Sequence, residues 1–368
     1  MKVHEVYSFA LSIPLSSVPP SAWERQWSNQ VYTTVVGDRG RGLGESLLAG
    51  GIPAETIEGL VNSFLSKVMV NRDVDPASAN EILQKVGFSA GLQGIMPIAI
   101  SGIDIALWDL AAKQAEQALS EMLGKPRRRE IPVYASFPRY RGCEDLLMAV
   151  RGAVQKGFEM IKIHQAPADA AKCLKSIREN YPRLKVAVDL NCGLSTDVAA
   201  KELSRMYSYG VEWFEEPVWP PDDYQSLKEL RDFPIAAGED EYRPSGFAQL
   251  IDSEVKYLQP DVTKAGGVTG FLRARELSEK YGVPLAPHVR PHRSYVGESA
   301  TLQLAAVFEE VKWVEFCPWG YPEEIFSGTP LLSSGRAVLS SEKGVGTTLR
   351  WLDYAYRGGY DRLGLIDV

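Results

Sequence analysis

Cysteine is scarce in this chain. Only Cys143, Cys173, Cys192 and Cys317 occur in 368 residues, and no two share a C-x-x-C spacing. Such scatter argues against both a disulfide scaffold and a zinc site, so reduced thiols and a cytoplasmic setting are expected. Positive charge is also short. The formal net charge of −7 offers nothing to a phosphate backbone, which argues against a nucleic-acid partner. A long uninterrupted apolar run is missing too: Ile95 to Leu110 carries Pro97, Gly102, Asp104 and Asp109. The stretch reads as too short and too charged for a bilayer span, so it is taken as a buried helix and no membrane partner is expected. The N-terminus has no basic stretch leading into an apolar core, and Pro14 interrupts Phe9 to Leu15, so no secretion signal is read there. A dinucleotide fingerprint is absent as well. Gly40, Gly42 and Gly44 have the wrong spacing and sit in a hairpin rather than a strand-to-helix turn.

What remains is an ordinary globular composition, 45% hydrophobic and 24% charged, in a length that suits one barrel plus a smaller domain. Residues 1–125 read as strands followed by helices. Tyr32 to Val36 and Gly42 to Leu48 flank a turn at Gly37-Asp38-Arg39-Gly40, and Ile100, Ile103, Leu107 and Leu110 share a helical face. Gly124 and Pro126 then supply a stop, and the basic run Arg127 to Arg129 marks a boundary. Over 126–332 a short apolar strand followed by an amphipathic segment recurs eight times. The strands are Ile131–Tyr134, Met160–Ile163, Val186–Val188, Val211–Phe214, Ile235–Ala237, Tyr257–Gln259, Pro284–Ala286 and Trp313–Phe316. Eight such units predict a closed (β/α)8 barrel, with the tail 333–368 packing back on the first domain.

A barrel of this kind carries its chemistry at the C-terminal ends of its strands. The ionisable residues there are Lys162, Asp189, Glu215, Glu239, Asp261, His288 and Glu315, at successive intervals of 27, 26, 24, 22, 27 and 27 residues. Each interval is one strand–helix unit, so all seven fall on one rim. Asp189, Glu215 and Glu239 follow three consecutive strands and form an oxygen set suited to a hard cation such as Mg²⁺. Without a cation, three converging carboxylates would repel one another. Asp261 and His288 follow the next two strands, and a carboxylate beside an imidazole fixes the tautomer of a general acid or base. Lys162 and His164 leave strand two on the same side, where a lysine can neutralise an oxyanion and His164 is either a second acid/base or a hydrogen-bonded structural residue. His292 also lies near the rim, among only four histidines. Lys264-Ala265-Gly266-Gly267 reads as a tight turn rather than a cofactor nest.

These residues resemble the enolase superfamily, in its mandelate racemase and muconate lactonizing enzyme branch. The resemblance rests on Ser101-Gly102-Ile103-Asp104-Ile105-Ala106-Leu107-Trp108-Asp109, Asp189-Leu190-Asn191, Glu215-Glu216-Pro217, Gly238-Glu239 and Pro260-Asp261-Val262-Thr263-Lys264-Ala265-Gly266-Gly267, spread over the whole chain. It implies an α/β fold: a modified TIM-type barrel closed by an α+β N-terminal capping domain, with Mg²⁺ on Asp189, Glu215 and Glu239. Lactonizing members carry a base lysine where this chain has Asp261, so the Asp261–His288 pair and Glu315 look like the mandelate racemase subgroup, which includes acid-sugar dehydratases. That subgroup usually reads K-x-K on strand two, and here Lys162-Ile163-His164 stands instead.

The implied reaction is removal of the proton next to a carboxylate through an ene-diolate, the superfamily pattern of a Lys or His base with Mg²⁺. Dehydration of a sugar acid to a 2-keto-3-deoxy acid leads, racemisation or epimerisation of a 2-hydroxy acid follows, and a catalytically silent metal-binding barrel is the reading from another class. A small-molecule carboxylate is the expected partner, and a homo-oligomer the expected assembly. Substrate contacts are expected from Asn191, Arg290 and His292. The segment Pro14 to Gln30 is expected to add lid residues Trp23 and Trp27.

Overall fold

The computed structural model describes residues 1–13, 29–47, 52–290 and 294–350. Its first unit is a three-stranded antiparallel sheet, β1 (Val3–Ser12), β2 (Asn29–Gly37) and β3 (Gly40–Ser46), in sequence order. The β2–β3 turn lies at the expected place, with Gly37 paired to Gly40. Helix Ile95–Gln114 packs across this sheet so closely that a Cβ on Gly42 or Gly44 would strike the helix backbone. Ile100, Ile103, Leu107 and Leu110 are all fully buried, but so is most of the opposite face, which meets the barrel. The helix is in fact long and apolar enough to cross a membrane, contrary to the length argument from sequence. Its apolar window is 83% buried within the protein, as a core helix requires.

The barrel strands are β4 (Glu130–Ser136), β5 (Met160–Ile163), β6 (Lys185–Asp189), β7 (Phe214–Glu215), β8 (Ile235–Ala237), β9 (Tyr257–Leu258) and β10 (Val314–Phe316). From β4 to β9 they pair parallel in sequence order, and β10 pairs parallel with β4. The expected strand Pro284–Ala286 is reduced to bridges from Leu285 to Leu258 and to Val311, which complete the ring. The chain thus has the α/β architecture of a capped, modified barrel. Alternation along the strands puts Tyr134, Met160, Ala187, Trp213, Ala236, Tyr257 and Ala286 into one inward apolar cluster. Two residues further along each strand, the inward positions include Ser136, Lys162, Asp189, Glu215, Gln259, His288 and Glu315. Polar groups therefore rest on an apolar floor.

The cap is fastened to this barrel by the motif residues of its long helix. Ser101 Oγ accepts from the backbone N–H of Gly266 and Gly267, at 2.9 and 3.1 Å. Asp104 accepts from Thr269 N–H at 3.0 Å and from Asn80 at 2.9 Å, and Trp108 donates to Thr269 Oγ1 at 2.9 Å. Gly267 has φ +80°, and a Cβ there would lie 2.2 Å from Asp104, so the glycine belongs to this clamp rather than to a cofactor nest. Asp109 accepts from Leu43 N–H of β3 and from Val345 N–H of the C-terminal segment, both at 2.8 Å.

One expectation from composition is overturned. Cys143 and Cys173, 30 residues apart, form a disulfide between helices Cys143–Gln155 and Pro167–Asn180. Cys192 and Cys317 remain free thiols. The pairing depends on which helix faces pack together, and sequence spacing carries no sign of that.

Candidate active site

All seven rim residues found by spacing converge at the strand ends. Asp189, Glu215 and Glu239 each offer a carboxylate oxygen within 4.8 Å of the other two, and this is the metal-competent cluster among the described residues. Asp189 and Glu215 are fully enclosed, being the last residues of β6 and β7 in register with one another. Glu239 follows β8 after Gly238, whose φ of +126° swings the next side chain back over the rim.

Lys162 is buried with no exposure, and its Nζ lies 3.2 Å from Asp189 Oδ2, 2.9 Å from Glu315 Oε1 and in contact with Glu215 Oε1. One ammonium thus faces three carboxylates. Burial favours its neutral form, but Glu215 and Glu315 raise its pKa well above the ordinary lysine value. Burial, resisted by Lys162, pushes Glu215 up to about 8. Glu239 is raised by burial, against the pull of His288. Although burial works the other way, Lys162 and His164 hold Asp189 well below the usual carboxylate range. Asp189 Oδ2 and Glu239 Oε2 are buried and make no well-aligned hydrogen bond, their nearest partners being Lys162 and His164 at 3.2 and 3.0 Å for the first and His288 at 3.3 Å for the second. Unsatisfied carboxylate oxygens, with neither sulfur nor imidazole in the cluster, fit a hard divalent cation.

The second cluster is the Asp261–His288 pair. His288 Nδ1 donates to Asp261 Oδ2 at 2.6 Å, while Asp261 Oδ1 accepts from Thr263 N–H and Oγ1, each at 2.6 Å. The other imidazole nitrogen, Nε2, is 3.3 Å from Glu239 Oε2. Burial alone would lower the pKa of His288, but Glu239 and the Asp261 hydrogen bond lift it to about 10. Glu315 Oε2 accepts from Val289 N–H at 3.1 Å, so the strand-eight carboxylate also fixes the backbone beside His288. His164 packs on the other flank, its Nδ1 against the Phe137 carbonyl and its Nε2 3.0 Å from Asp189 Oδ2.

The substrate-contact candidates are less clustered. Asn191 is exposed just past β6, with φ 43°, and its backbone N–H holds Asp189 Oδ1 at 2.8 Å. Arg290 is buried on the His288 loop, close enough to lower the pKa of Glu45. Trp23, Trp27 and His292 lie outside the described residues.

Three contributors escape a search for ionisable strand-end residues. Gln259 and Trp213 both donate to Glu215 Oε2, at 2.7 and 3.1 Å. Glu45 comes from β3 of the cap, and its Oε2 accepts from Val296 and Gly297 N–H, at 2.9 and 3.0 Å, at the start of helix Tyr295–Val307. Inward alternation from Tyr257 would have reached Gln259, and from Met160 it reaches Lys162 in the same way.

With this geometry in view, the sequence profile of the enolase C-terminal domain-like family matches residues 145–353, more than half the chain. The N-terminal domain profile of mandelate racemase / muconate lactonizing enzyme matches residues 26–124. The chain belongs to the mandelate racemase / muconate lactonizing enzyme branch of the enolase superfamily. A Caldivirga maquilingensis protein provisionally named L-rhamnonate dehydratase is 33% identical over 76% of this chain and 71% of its own length. The L-talarate/galactarate dehydratase of Salmonella typhimurium is 29% identical over 75% and 70%. A Bradyrhizobium enolase crystallised with magnesium and mandelic acid superposes with a TM-score of 0.85 at 24% identity, covering 96% of this chain and 98% of that one. Membership of this enolase-superfamily branch makes the protein an enzyme and removes the silent-barrel reading; lyase and isomerase names both occur in the branch.

Proposed function

We propose that this enzyme removes the proton α to the carboxylate of a sugar acid and then expels the β-hydroxyl, giving a 2-keto-3-deoxy acid. The observation that carries the reading is the convergence of a carboxylate triad and a hydrogen-bonded Asp–His pair on one barrel rim, above a buried lysine. The substrate class follows the dehydratase names of the relatives. Asp189, Glu215 and Glu239 would hold Mg²⁺, which when bound supplies Lewis-acid stabilisation of the enediolate charge. Lys162 adds positive charge at the same place, and Glu315 orders the backbone around His288. His288, held in one tautomer by Asp261, is placed to move a proton at Nε2. A small carboxylate is the proposed partner, in a homo-oligomer. The units 1–125, 126–332 and 333–368 are kept as the proposed domain division, the last meeting the first at Val345 and Asp109 while its Arg336–Val338 stretch pairs with β4 of the barrel.

A second reading, racemisation or epimerisation, is favoured by His164. Strands two and seven stand three places apart on an eight-strand ring, so His164 and His288 approach the site from different directions. Incubation with aldonic and aldaric acids in D₂O separates the readings. Keto-acid release supports dehydration, and α-deuterium with inverted configuration supports racemisation. Neither product from any acid would sink both.

A further inference from the structure

A carboxylate offers about four acceptor sites, two on each oxygen. On Glu215 the protein itself fills three. Oε2 accepts from the Trp213 indole N–H at 3.1 Å and from the Gln259 amide at 2.7 Å, and Oε1 accepts from Lys162. One site remains, on Oε1. Every member of this set is fully buried. Trp213 is also wedged between Tyr134 and Tyr257, with ring centroids 5.4 and 5.1 Å away, so its N–H has little freedom to turn aside. The other two carboxylates of the cluster are not held in this way. Asp189 Oδ1 accepts a single backbone N–H, and the buried Asp189 Oδ2 and Glu239 Oε2 face Lys162, His164 and His288 at 3.0 to 3.3 Å without a well-aligned hydrogen bond.

We propose that Trp213 and Gln259 are positioning residues that confine Glu215 to single-oxygen coordination, and that this makes the site select a small six-coordinate cation of the Mg²⁺ type against Ca²⁺. The inference rests on Asp189, Glu215 and Glu239 being the cation site. Mg²⁺ demands near-octahedral single oxygens at about 2.0 to 2.1 Å, whereas Ca²⁺ takes roughly six to eight oxygens and commonly uses a carboxylate through both. Two-oxygen binding at Glu215 requires Oε2 to give up at least one of its two buried N–H donors and leave it unpaired. The lock therefore disfavours the larger ion while leaving the smaller one's geometry intact. A metal-ligand carboxylate is usually oriented by such outer partners, and here their number fixes the coordination mode.

Calorimetric titration of the chelator-stripped full-length protein with Mg²⁺ alone and Ca²⁺ alone tests this without any turnover. Gln259→Leu and Trp213→Phe should each weaken Mg²⁺ binding by about 10- to 100-fold. Ca²⁺ binding should fall by less, so the preference for Mg²⁺ narrows. Equal weakening of both ions, or no change in either, overturns the lock. Asp189→Asn separates this failure from failure of the site itself. If that variant binds both ions like the wild type, or the wild type binds neither, the triad reading falls and the lock with it. Should Trp213→Phe lose its far-UV circular dichroism, Gln259→Leu decides alone, because leucine nearly matches glutamine in volume.

Discussion

Asp261 shows how much of the site's behaviour rests on single atoms. Its two oxygens accept three hydrogen bonds, from Thr263 N–H, the Thr263 hydroxyl and His288 Nδ1–H. In Asp261→Asn one oxygen can still serve Thr263, but the amide cannot accept the imidazole N–H, so the tautomer and charge of His288 are no longer fixed. Turnover should fall by about 10²- to 10⁴-fold, the usual worth of a positioned acid or base, with the thermal midpoint nearly unchanged. Wild-type turnover in this variant would remove the pair from the mechanism. The two histidines admit a finer test, since His164 replaces a lysine and sits three strands round the ring from His288. With His164 as base and His288 as acid, His288→Asn keeps slow α-hydrogen exchange with D₂O while losing product, and His164→Asn loses both. The reverse pattern exchanges the roles, and full activity in His164→Asn reduces that residue to a structural one.

At the scale of elements, the disulfide is the feature with the clearest energetic consequence. It joins the helices after β4 and β5 across a span of 30 residues, and loop-entropy arguments put its stabilisation at about 3 to 4 kcal/mol. A Cys143→Ser, Cys173→Ser double variant should melt several degrees lower than the wild type. Alkylation of denatured protein should find two thiols without reductant and four after a dithiol. Four thiols without reductant would show that the bond does not form. Sequence could not show this pair because it depends on which faces of two neighbouring helices pack together, and the spacing of the cysteines along the chain does not encode that. Buried parallel strands are short apolar runs, and the ionisable residue closing each run marks the rim at intervals of one strand–helix unit. The strand at Pro284–Ala286 was legible as a run, yet it forms only bridges at Leu285, because ladder length depends on neighbours rather than on apolar content. Gln259 and Trp213 were passed over for a different reason. They bear no charge, and their importance lies in where two N–H groups point.

At the scale of the whole molecule, carboxyl groups are buried both between cap and barrel and within the barrel. Glu45 of β3 caps helix Tyr295–Val307, Asp104 of the long cap helix holds Thr269, and Glu298 accepts from Cys317 N–H and the Tyr321 hydroxyl. Burial pushes their pKa values up to about 8, 7 and 8, against the lowering effect of those hydrogen bonds. A carboxyl group raised on folding binds its proton more tightly in the native state. Its contribution to stability is therefore complete below the unfolded value near 4 and is lost as pH rises through the folded value. Each such group costs about 1.36 kcal/mol of stability per pH unit crossed in that window, and nothing further above it. The protein should accordingly melt at a lower temperature at pH 9 than at pH 6. Glu45→Gln keeps an oxygen for the Val296 and Gly297 N–H groups but cannot ionise, so it should flatten part of that decline, and adding Glu298→Gln should flatten more. The comparison is to be made in chelator, so that cation binding at the rim does not contribute its own pH dependence. A wild-type melting temperature that holds steady from pH 6 to 9, or a decline that both substitutions leave untouched, would show that Glu45 and Glu298 do not ionise in the folded protein over that range.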